Sequence, residues 1–237
     1  MKADLRSSGM NGWRRWRWSC GAALAAAIAC PPAAFSDDQV PVPKGYTDAM
    51  SWYQRAAKAG NPQAQYYLGL IYWRGLKGRK DRKRAADWFE RAARKGHVAA
   101  QFSLGLAYQL GEGRKSDPAK SAEWYKHAAK AGHAEAAYNL ARMYELGSGV
   151  ERNPAQAVIL YRQAASAGLA QAQYNLGLLY VDGLGVPRDR VKAWVWLKRA
   201  SDQGFPSAQA ALAAVEKNMT RAERSRARKV SGAKPQG

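Results

Sequence analysis

The chain has 237 residues, 47% of them hydrophobic and 24% charged, a composition that is ordinary for a globular protein and long enough for one extended domain. Its 38 lysines and arginines outnumber its 18 aspartates and glutamates, which gives a formal net charge of +20. That charge bears on partners and solubility and excludes no fold.

The first 36 residues have the order of charge and apolarity of a secretory signal. A basic segment precedes a short apolar stretch from Ser19 to Cys30, and two prolines follow. A membrane-spanning helix needs about 20 apolar residues, so this stretch is too short to cross a bilayer comfortably. We predict a signal peptide at residues 1–36, a linker at 37–45, and a periplasmic or secreted mature protein without a transmembrane helix.

Other interpretations of this segment stay open. Arg14 and Arg15 allow a twin-arginine signal, and the residues before Cys30 resemble a weak lipoprotein box that would make Cys30 a lipidated N-terminus. The segment could also be an uncleaved arm that touches membranes. Because both cysteines, Cys20 and Cys30, lie in it, cleavage would leave a mature chain with no thiol, disulfide or cysteine-based metal site.

The rest of the chain repeats every 36 residues. A fixed period of this size indicates a solenoid of helix pairs, in which each unit buries its apolar face against its neighbours. The repeated columns are Gly60, Gly96, Gly132, Gly168 and Gly204; Ala64, Ala100, Ala136, Ala172 and Ala208; Leu68, Leu104, Leu140, Leu176 and Leu212; and Tyr72, Tyr108, Tyr144 and Tyr180.

The chain begins this pattern with half a unit, because residues 47–60 align with the second helix of later units. Each complete unit then starts with a first helix on which Leu68 and Tyr72, four residues apart, share one face. Small residues recur in the middle of this helix, which predicts the close approach of a neighbouring helix. They are Gly69, Gly105, Ala141, Gly177 and Ala213.

Each second helix begins after a residue of N-cap type and ends at the 36-spaced glycine. The N-cap residues are Asp81, Asp117, Asn153 and Asp189. The last unit keeps only a first helix, from Phe205 to Lys217, and Thr220 with Glu223 offers a capping box for one more basic helix. We therefore predict an all-α solenoid at residues 46–216, followed by a basic capping helix and a tail at 217–237.

This pattern resembles the Sel1-like repeat family. The motif A-x-x-x-L-G-x-x-Y-x-x-G, a glycine-rich loop and then D/N-P-x-x-A-x-x-W-Y-x-x-A-A-x-x-G is well preserved from Ala172 to Gly204. The loop separates it from the tetratricopeptide repeat, whose period is about 34 residues. The resemblance implies a right-handed superhelix of antiparallel helix pairs. It also implies an adaptor that holds protein complexes together, and exported bacterial members serve in envelope regulation, exopolysaccharide export and host interaction.

Two columns of the first helices vary between units and are our candidates for a partner-binding surface. In the first column Tyr67, Asn139 and Asn175 are the candidate contacts, and in the second Trp73 is a candidate aromatic anchor. Drift of surface residues between copies explains the variation equally well. The full columns are Tyr67, Ser103, Asn139 and Asn175, and Trp73, Gln109, Glu145 and Val181.

The loop of the first unit carries the densest positive charge of any loop. Six cations fall within eight positions: Lys77, Arg79, Lys80, Arg82, Lys83 and Arg84. They predict contact with an anionic partner, although a solvated turn is the alternative. We expect a protein partner with an acidic surface, and an anionic envelope glycan or lipid is a further candidate. Nucleic acid is disfavoured by the export signal and by the lack of a reader module.

Catalysis has little support in the sequence. His97 and His133 occupy one column, just after the helix-ending glycine, where a polar loop residue is expected. No spacing typical of a metal site occurs. The string from Ser231 to Lys234 matches the Ser-x-x-Lys motif of penicillin-interacting enzymes but stands alone in the tail. We therefore expect no catalytic residue, metal or cofactor, and the alternative is a cell-envelope enzyme or glycan-binding protein acting on peptidoglycan or β-lactams.

Overall fold

The computed structural model describes residues 46–76 and 78–232. The predicted signal peptide and linker, Lys77 and residues 233–237 lie outside the described residues. The described chain forms eleven α-helices and belongs to the all-α class. They are α1 (Tyr46–Lys58), α2 (Pro62–Arg74), α3 (Arg82–Arg94), α4 (Val98–Leu110), α5 (Pro118–Lys130), α6 (Ala134–Leu146), α7 (Pro154–Ser166), α8 (Ala170–Asp182), α9 (Arg190–Asp202), α10 (Pro206–Lys217) and α11 (Arg221–Ser231).

The helices form a linear stack of hairpins. Each helix packs mainly on its neighbours in sequence, and the most extensive contacts join α2 to α3, α4 to α5, α6 to α7 and α8 to α9. These are the predicted pairs of first and second helices. The lone second helix α1 and the lone first helix α10 confirm the half units, and α11 folds back on α9. None of the helices in the described segments is long and apolar enough to cross a bilayer.

The predicted capping residues define the ends of the helices. Each of the four N-cap side chains before α3, α5, α7 and α9 accepts a hydrogen bond from a backbone amide in the first turn, as Asp81 does from Arg84 at 2.9 Å. At the other end of α3, the amide of Gly96 donates to Ala93 O and the amide of His97 to Ala92 O. This pair of bonds is a Schellman motif. The capping box of Thr220 and Glu223 is also present.

The small residues in mid-helix lie where the two helices of a unit touch. A Cβ atom on Gly69 would stand 2.6 Å from the ring of Phe89, and one on Gly105 would stand 2.7 Å from the ring of Tyr125. Both rings are fully buried. Glycine lowers the helix propensity of the first helix, but the absence of a Cβ lets a large ring of the second helix lie against its backbone.

The first helices are capped by a column that the sequence analysis interpreted as polar loop residues. Nδ1 of His97 accepts from the amide of Ala100 at 3.2 Å, and Nδ1 of His133 accepts from Ala136 at 3.3 Å. Asn61 does the same in the first unit, whereas Leu169 and Phe205 form no side-chain cap. Both histidines are therefore N-caps.

Buried glutamines cross the boundary between units. Gln101 donates from Nε2 to Ala93 O at 3.3 Å, but its Oε1 is buried without a partner among the described residues. Two units later, the equivalent Gln173 has its Oε1 satisfied by Gln203 Nε2 at 2.8 Å. Residue 203 corresponds to Ala131 in the unit of Gln101, and Ala131 has no donor to offer.

Ala131→Gln is therefore expected to raise the free energy of unfolding by about 1 kcal/mol, because it supplies a hydrogen bond to a buried acceptor. Ala131 and Gln203 share the same C-cap backbone conformation, so the new amide can adopt the geometry of Gln203. Urea denaturation measures the change. Ala167→Gln is the matched control. In that unit the position of Gln101 is occupied by the apolar Ala137, which has no side-chain acceptor for the new amide. An equal gain in both variants would contradict this account.

Candidate functional site

The two variable columns of the first helices flank one buried side chain of the second helix. In the second complete unit this side chain is Tyr125, whose hydroxyl donates to Gln109 Oε1 at 2.6 Å. Asn139 of the next first helix bonds to the same tyrosine. Burial raises the pKa of Tyr125 well above its usual value, so the hydroxyl stays protonated and can donate. One residue from each column is therefore tied to a single ring.

The next unit repeats this arrangement with different side chains. The hydroxyl of Tyr161 donates to Glu145 Oε2 at 2.7 Å and accepts from Asn175 Nδ2 at 3.2 Å. Burial and the neighbouring Glu145 carboxylate raise the pKa of Tyr161. The predicted contact Asn175 is thus half-buried and bridges two units, as Asn139 does.

The first unit has no hydroxyl at this place, and its two columns change accordingly. Phe89 replaces the tyrosine and packs against Trp73 with ring centroids 5.9 Å apart. Ser103, in the other column, donates to Ala99 O of its own helix at 2.8 Å. Variation in both columns therefore follows the second-helix side chain. The partner-binding role of Tyr67, Trp73, Asn139 and Asn175 stays a prediction.

Trp73 is also covered by Arg82. The sequence placed Arg82, Lys83 and Arg84 in the basic loop, but they form the first turn of α3. The guanidinium carbon of Arg82 lies 4.0 Å from the centroid of the Trp73 ring, and its Nη1 donates to Trp73 O. Arg82 Nε pairs with Glu112 Oε2 of the next loop at 2.9 Å. Arg82 therefore joins the start of α3 to the loop of the next unit, a role distinct from a free surface charge.

The other cations of the basic loop divide into paired and open groups. Arg84 pairs with Asp81 at 3.2 Å. Arg79, Lys80 and Lys83 are exposed and form no ion pair with another described residue, and Lys77 lies outside the described segments. Among the residues that the structure describes, the open cations of this segment are thus Arg79 and Lys80 in the loop and Lys83 in the first turn of α3.

A further candidate surface lies on the first helices and was not predicted from the sequence. We call it the first-helix face and define it by three positions per helix, spaced four residues apart, so that they lie on one side of the helix. It includes the two most exposed leucines of α4 and α6, Leu110 at 48% and Leu146 at 66%. Its residues are Tyr66, Leu70, Arg74, Phe102, Leu106, Leu110, Tyr138, Arg142, Leu146, Tyr174, Leu178 and Asp182.

The rings of this face have one packed side and one accessible side. Tyr66 stacks on His97 with centroids 4.6 Å apart, and Phe102 stacks on His133 at 4.5 Å. In these two units the ring thus packs on the N-cap residue of the next first helix, and Tyr174 packs on Phe205 in the same way, with centroids 5.0 Å apart. These rings stay partly exposed. Tyr66 is two residues from the buried Leu68, so the two side chains lie on different sides of α2.

The acidic side chains of α3 serve as partners of arginines. Asp87 and Glu90 line a shallow depression with Arg91 and Arg94, and both accept from Arg114 Nη2 at 2.8 Å. Burial raises the pKa of Glu90, but hydrogen bonds from Arg94 and Arg114 outweigh this and hold it below its usual range. Within residues 46–76 and 78–232, no group of three or more histidine, cysteine or carboxylate side chains is placed to hold a metal.

Comparison with known families assigns the repeat. The sequence model of the family described as Sel1 repeat matches residues 34–61, 62–97, 98–133, 134–169 and 170–205. Each of the last four matches contains one first helix and the second helix that follows it, and the first match ends with α1. No curated protein sequence matches the chain.

Solved structures share the same architecture. A Sel1 repeat protein from Oxalobacter formigenes is 33% identical, with a TM-score of 0.67 over 71% of this chain and 69% of that protein. The protective antigen c5321 of uropathogenic Escherichia coli, described as having an SLR fold, is 29% identical over 80% of this chain, with a TM-score of 0.52. The alignment covers 49% of the antigen, so this chain spans about half its length.

Proposed function

Because the chain belongs to the Sel1 repeat family, whose repeats mediate protein–protein interaction, we propose that it is an exported scaffold or regulatory adaptor that holds a partner protein against its first-helix face. Proteins of this family are typically non-catalytic scaffolds. The export part of the proposal rests on the order of charge and apolarity in residues 1–36.

The observation that carries the proposal is the exposure of large apolar side chains on the first-helix face. Leu110 and Leu146 stand at equivalent positions of neighbouring units. Apolar side chains that cluster on a surface are typical of interaction sites. The same position is Arg74 in the first unit and Asp182 in the fourth, so its chemistry changes along the solenoid.

The fold holds this face in place before a partner arrives. The stacking of Tyr66 on His97 and of Phe102 on His133 restricts the rings, which reduces the entropy lost on binding. The open cations Arg79, Lys80 and Lys83 adjoin the first unit and favour encounter with an acidic surface, an effect that salt weakens.

A photo-crosslinking residue placed at Leu110 in intact cells tests the proposal. We expect a discrete adduct with one protein, and we expect Leu146→Asp in the same chain to reduce that adduct about tenfold or more. The reason is that a carboxylate would replace an apolar contact worth about 1.5–3 kcal/mol when buried. Quantitative blotting of the adduct measures the change.

Ile159→Asp provides the matched control, because Ile159 is 55% exposed but lies on the second helix α7. The control should leave the Leu110 adduct within about twofold of the parent, and both variants should keep their helical circular dichroism. An equal loss in the two variants, or an unchanged adduct in Leu146→Asp, would show that the partner does not bind on the first-helix face.

A further inference from the structure

The C-terminal helix α11 carries a concentration of positive charge that the rest of the described chain does not neutralise. Its one carboxylate, Glu223, is used in the capping box, where it accepts from the amide of Thr220 at 2.7 Å. The five cations are exposed and form no ion pair or hydrogen bond through their side chains with another described residue. They are Arg221, Arg224, Arg226, Arg228 and Lys229.

Three of these arginines form a line along the helix. Arg221, Arg224 and Arg228 are spaced three and four residues apart, so they lie on one side of α11 over about 10 Å. We call this line the arginine stripe. Ala227 is fully buried where α11 packs against α9, so the helix is attached through a small residue and the stripe stays exposed.

On other helices, several lysines and arginines form ion pairs with carboxylates three or four residues away. Lys120 pairs with Asp117 and Lys192 with Asp189, each at 3.2 Å, and Arg94 pairs with Glu90 at 2.6 Å. Within the arginine stripe the neighbours at the same spacing are like charges, which repel and destabilise the helix. A ligand that brings negative charges at the same spacing would remove this repulsion and add charge-assisted hydrogen bonds.

We propose that the arginine stripe docks an acidic helix of a partner protein, one that presents carboxylates three and four residues apart. A planar guanidinium binds a carboxylate through two parallel hydrogen bonds, and a helix with this spacing places its carboxylates opposite the three arginines. A protein is the favoured partner because Sel1 repeats mediate protein–protein interaction.

A lipid surface fits α11 less well. A helix that lies in a membrane interface buries a broad apolar face with bulky side chains. Beside the stripe, the exposed uncharged residues Ala222 and Ser225 are small. Val230, which is 51% exposed, is the single large apolar residue on the described surface of α11. The apolar side of the helix, at Ala227, already faces α9.

The test uses the full chain and a fluorescein-labelled helical peptide with glutamates spaced three and four residues apart. The variant Arg221→Gln/Arg224→Gln/Arg228→Gln is compared with Lys115→Gln/Lys126→Gln/Lys130→Gln, which removes the same charge from exposed residues that have no ion pair in the described structure. We expect the stripe variant to weaken peptide binding at least tenfold by fluorescence anisotropy and the control to weaken it less than threefold.

Further arms identify the class of ligand. The same proteins are titrated with a 15-nucleotide oligothymidine and with vesicles of phosphatidylcholine and phosphatidylglycerol. If the stripe variant weakens binding of the oligothymidine or of the vesicles more than binding of the peptide, the proposal is overturned. An equal loss of peptide affinity in the stripe variant and the control also overturns it. Circular dichroism confirms that α11 stays folded, and Arg→Lys at the three positions should restore only part of the affinity. The stripe is distinct from the first-helix face, so the Leu110 crosslink should be unchanged in the stripe variant.

Discussion

Gly149→Ala is expected to lower the free energy of unfolding by roughly 2–5 kcal/mol, because two separate costs add. Gly149 has a φ of 72°, where a Cβ is disfavoured by about 1–2 kcal/mol. The new Cβ would also stand 2.3 Å from the carbonyl carbon of Pro118, the first residue of α5 in the preceding unit. Since that neighbour is backbone, the loop or the start of α5 must shift.

Gly132→Ala separates the two costs. Gly132 also has a positive φ, 89°, but a Cβ there has no other atom within 4 Å. We therefore expect it to lose only the conformational part, about 1–2 kcal/mol. Gly132→Val should lose more, because β-branched residues are least tolerant of this region. Urea denaturation followed by circular dichroism compares the variants. Equal losses for Gly149→Ala and Gly132→Ala would show that adjacent units are not locked by this loop.

The periodic features of the fold were accessible from the sequence because they are local. A residue of N-cap type before an apolar pattern and a glycine at a helix end act within one turn, so Asp81 and Gly96 identify the ends of α3 without knowledge of any neighbour. The small column of Gly69 and Gly105 also predicted a close helix–helix approach, which the buried rings of Phe89 and Tyr125 confirm.

Contacts across unit boundaries were not accessible in this way. The loop glycine Gly149 was not selected from the sequence, because its role depends on the backbone of α5, about thirty residues earlier. The histidine caps were missed for a related reason, since a histidine after a helix-ending glycine is a common polar loop residue. Only the orientation of Nδ1 towards the amide of Ala100 reveals the cap.

A signal for the tyrosine contacts was nevertheless present in the sequence. The second-helix residue and the variable column before it change together: Phe89 occurs with Trp73, Tyr125 with Gln109, Tyr161 with Glu145 and Leu197 with Val181. Each tyrosine occurs with a polar partner and each apolar residue with an apolar one, which agrees with the bonds to Gln109 and Glu145. Part of the variation between copies therefore reflects packing within the solenoid. Only the variation that packing does not explain can indicate binding specificity.

Acidification should destabilise the solenoid through its histidine caps. Burial lowers the pKa of His97 below its usual value, so the neutral ring is favoured in the folded chain. In the tautomer that satisfies both neighbours, Nε2–H donates to Gln63 Oε1 at 2.8 Å and Nδ1 accepts from the amide of Ala100. A proton on Nδ1 removes the cap, which is worth about 1 kcal/mol.

The direction of the pH dependence follows from proton binding. An unfolded histidine titrates near pH 6.5, and because the folded pKa of His97 is lower, the unfolded chain binds more protons between these two values. The stabilising contribution is therefore complete above about pH 6.5 and is lost as the pH falls through that value towards the folded pKa. We expect the free energy of unfolding, measured in urea, to fall between pH 7.5 and 5.5.

Asparagine variants test this cause, because Asn61 caps α2 at the equivalent position without titrating, accepting from the amide of Ala64 at 2.9 Å. Burial also lowers the pKa of His133, but the carboxylate of Glu135, 3.3 Å from Nδ1, opposes the shift and can bind the protonated ring. His97→Asn should therefore remove more of the pH dependence than His133→Asn, and the double variant should remove most of it. A slope in the double variant equal to the parent's would assign the effect to other groups.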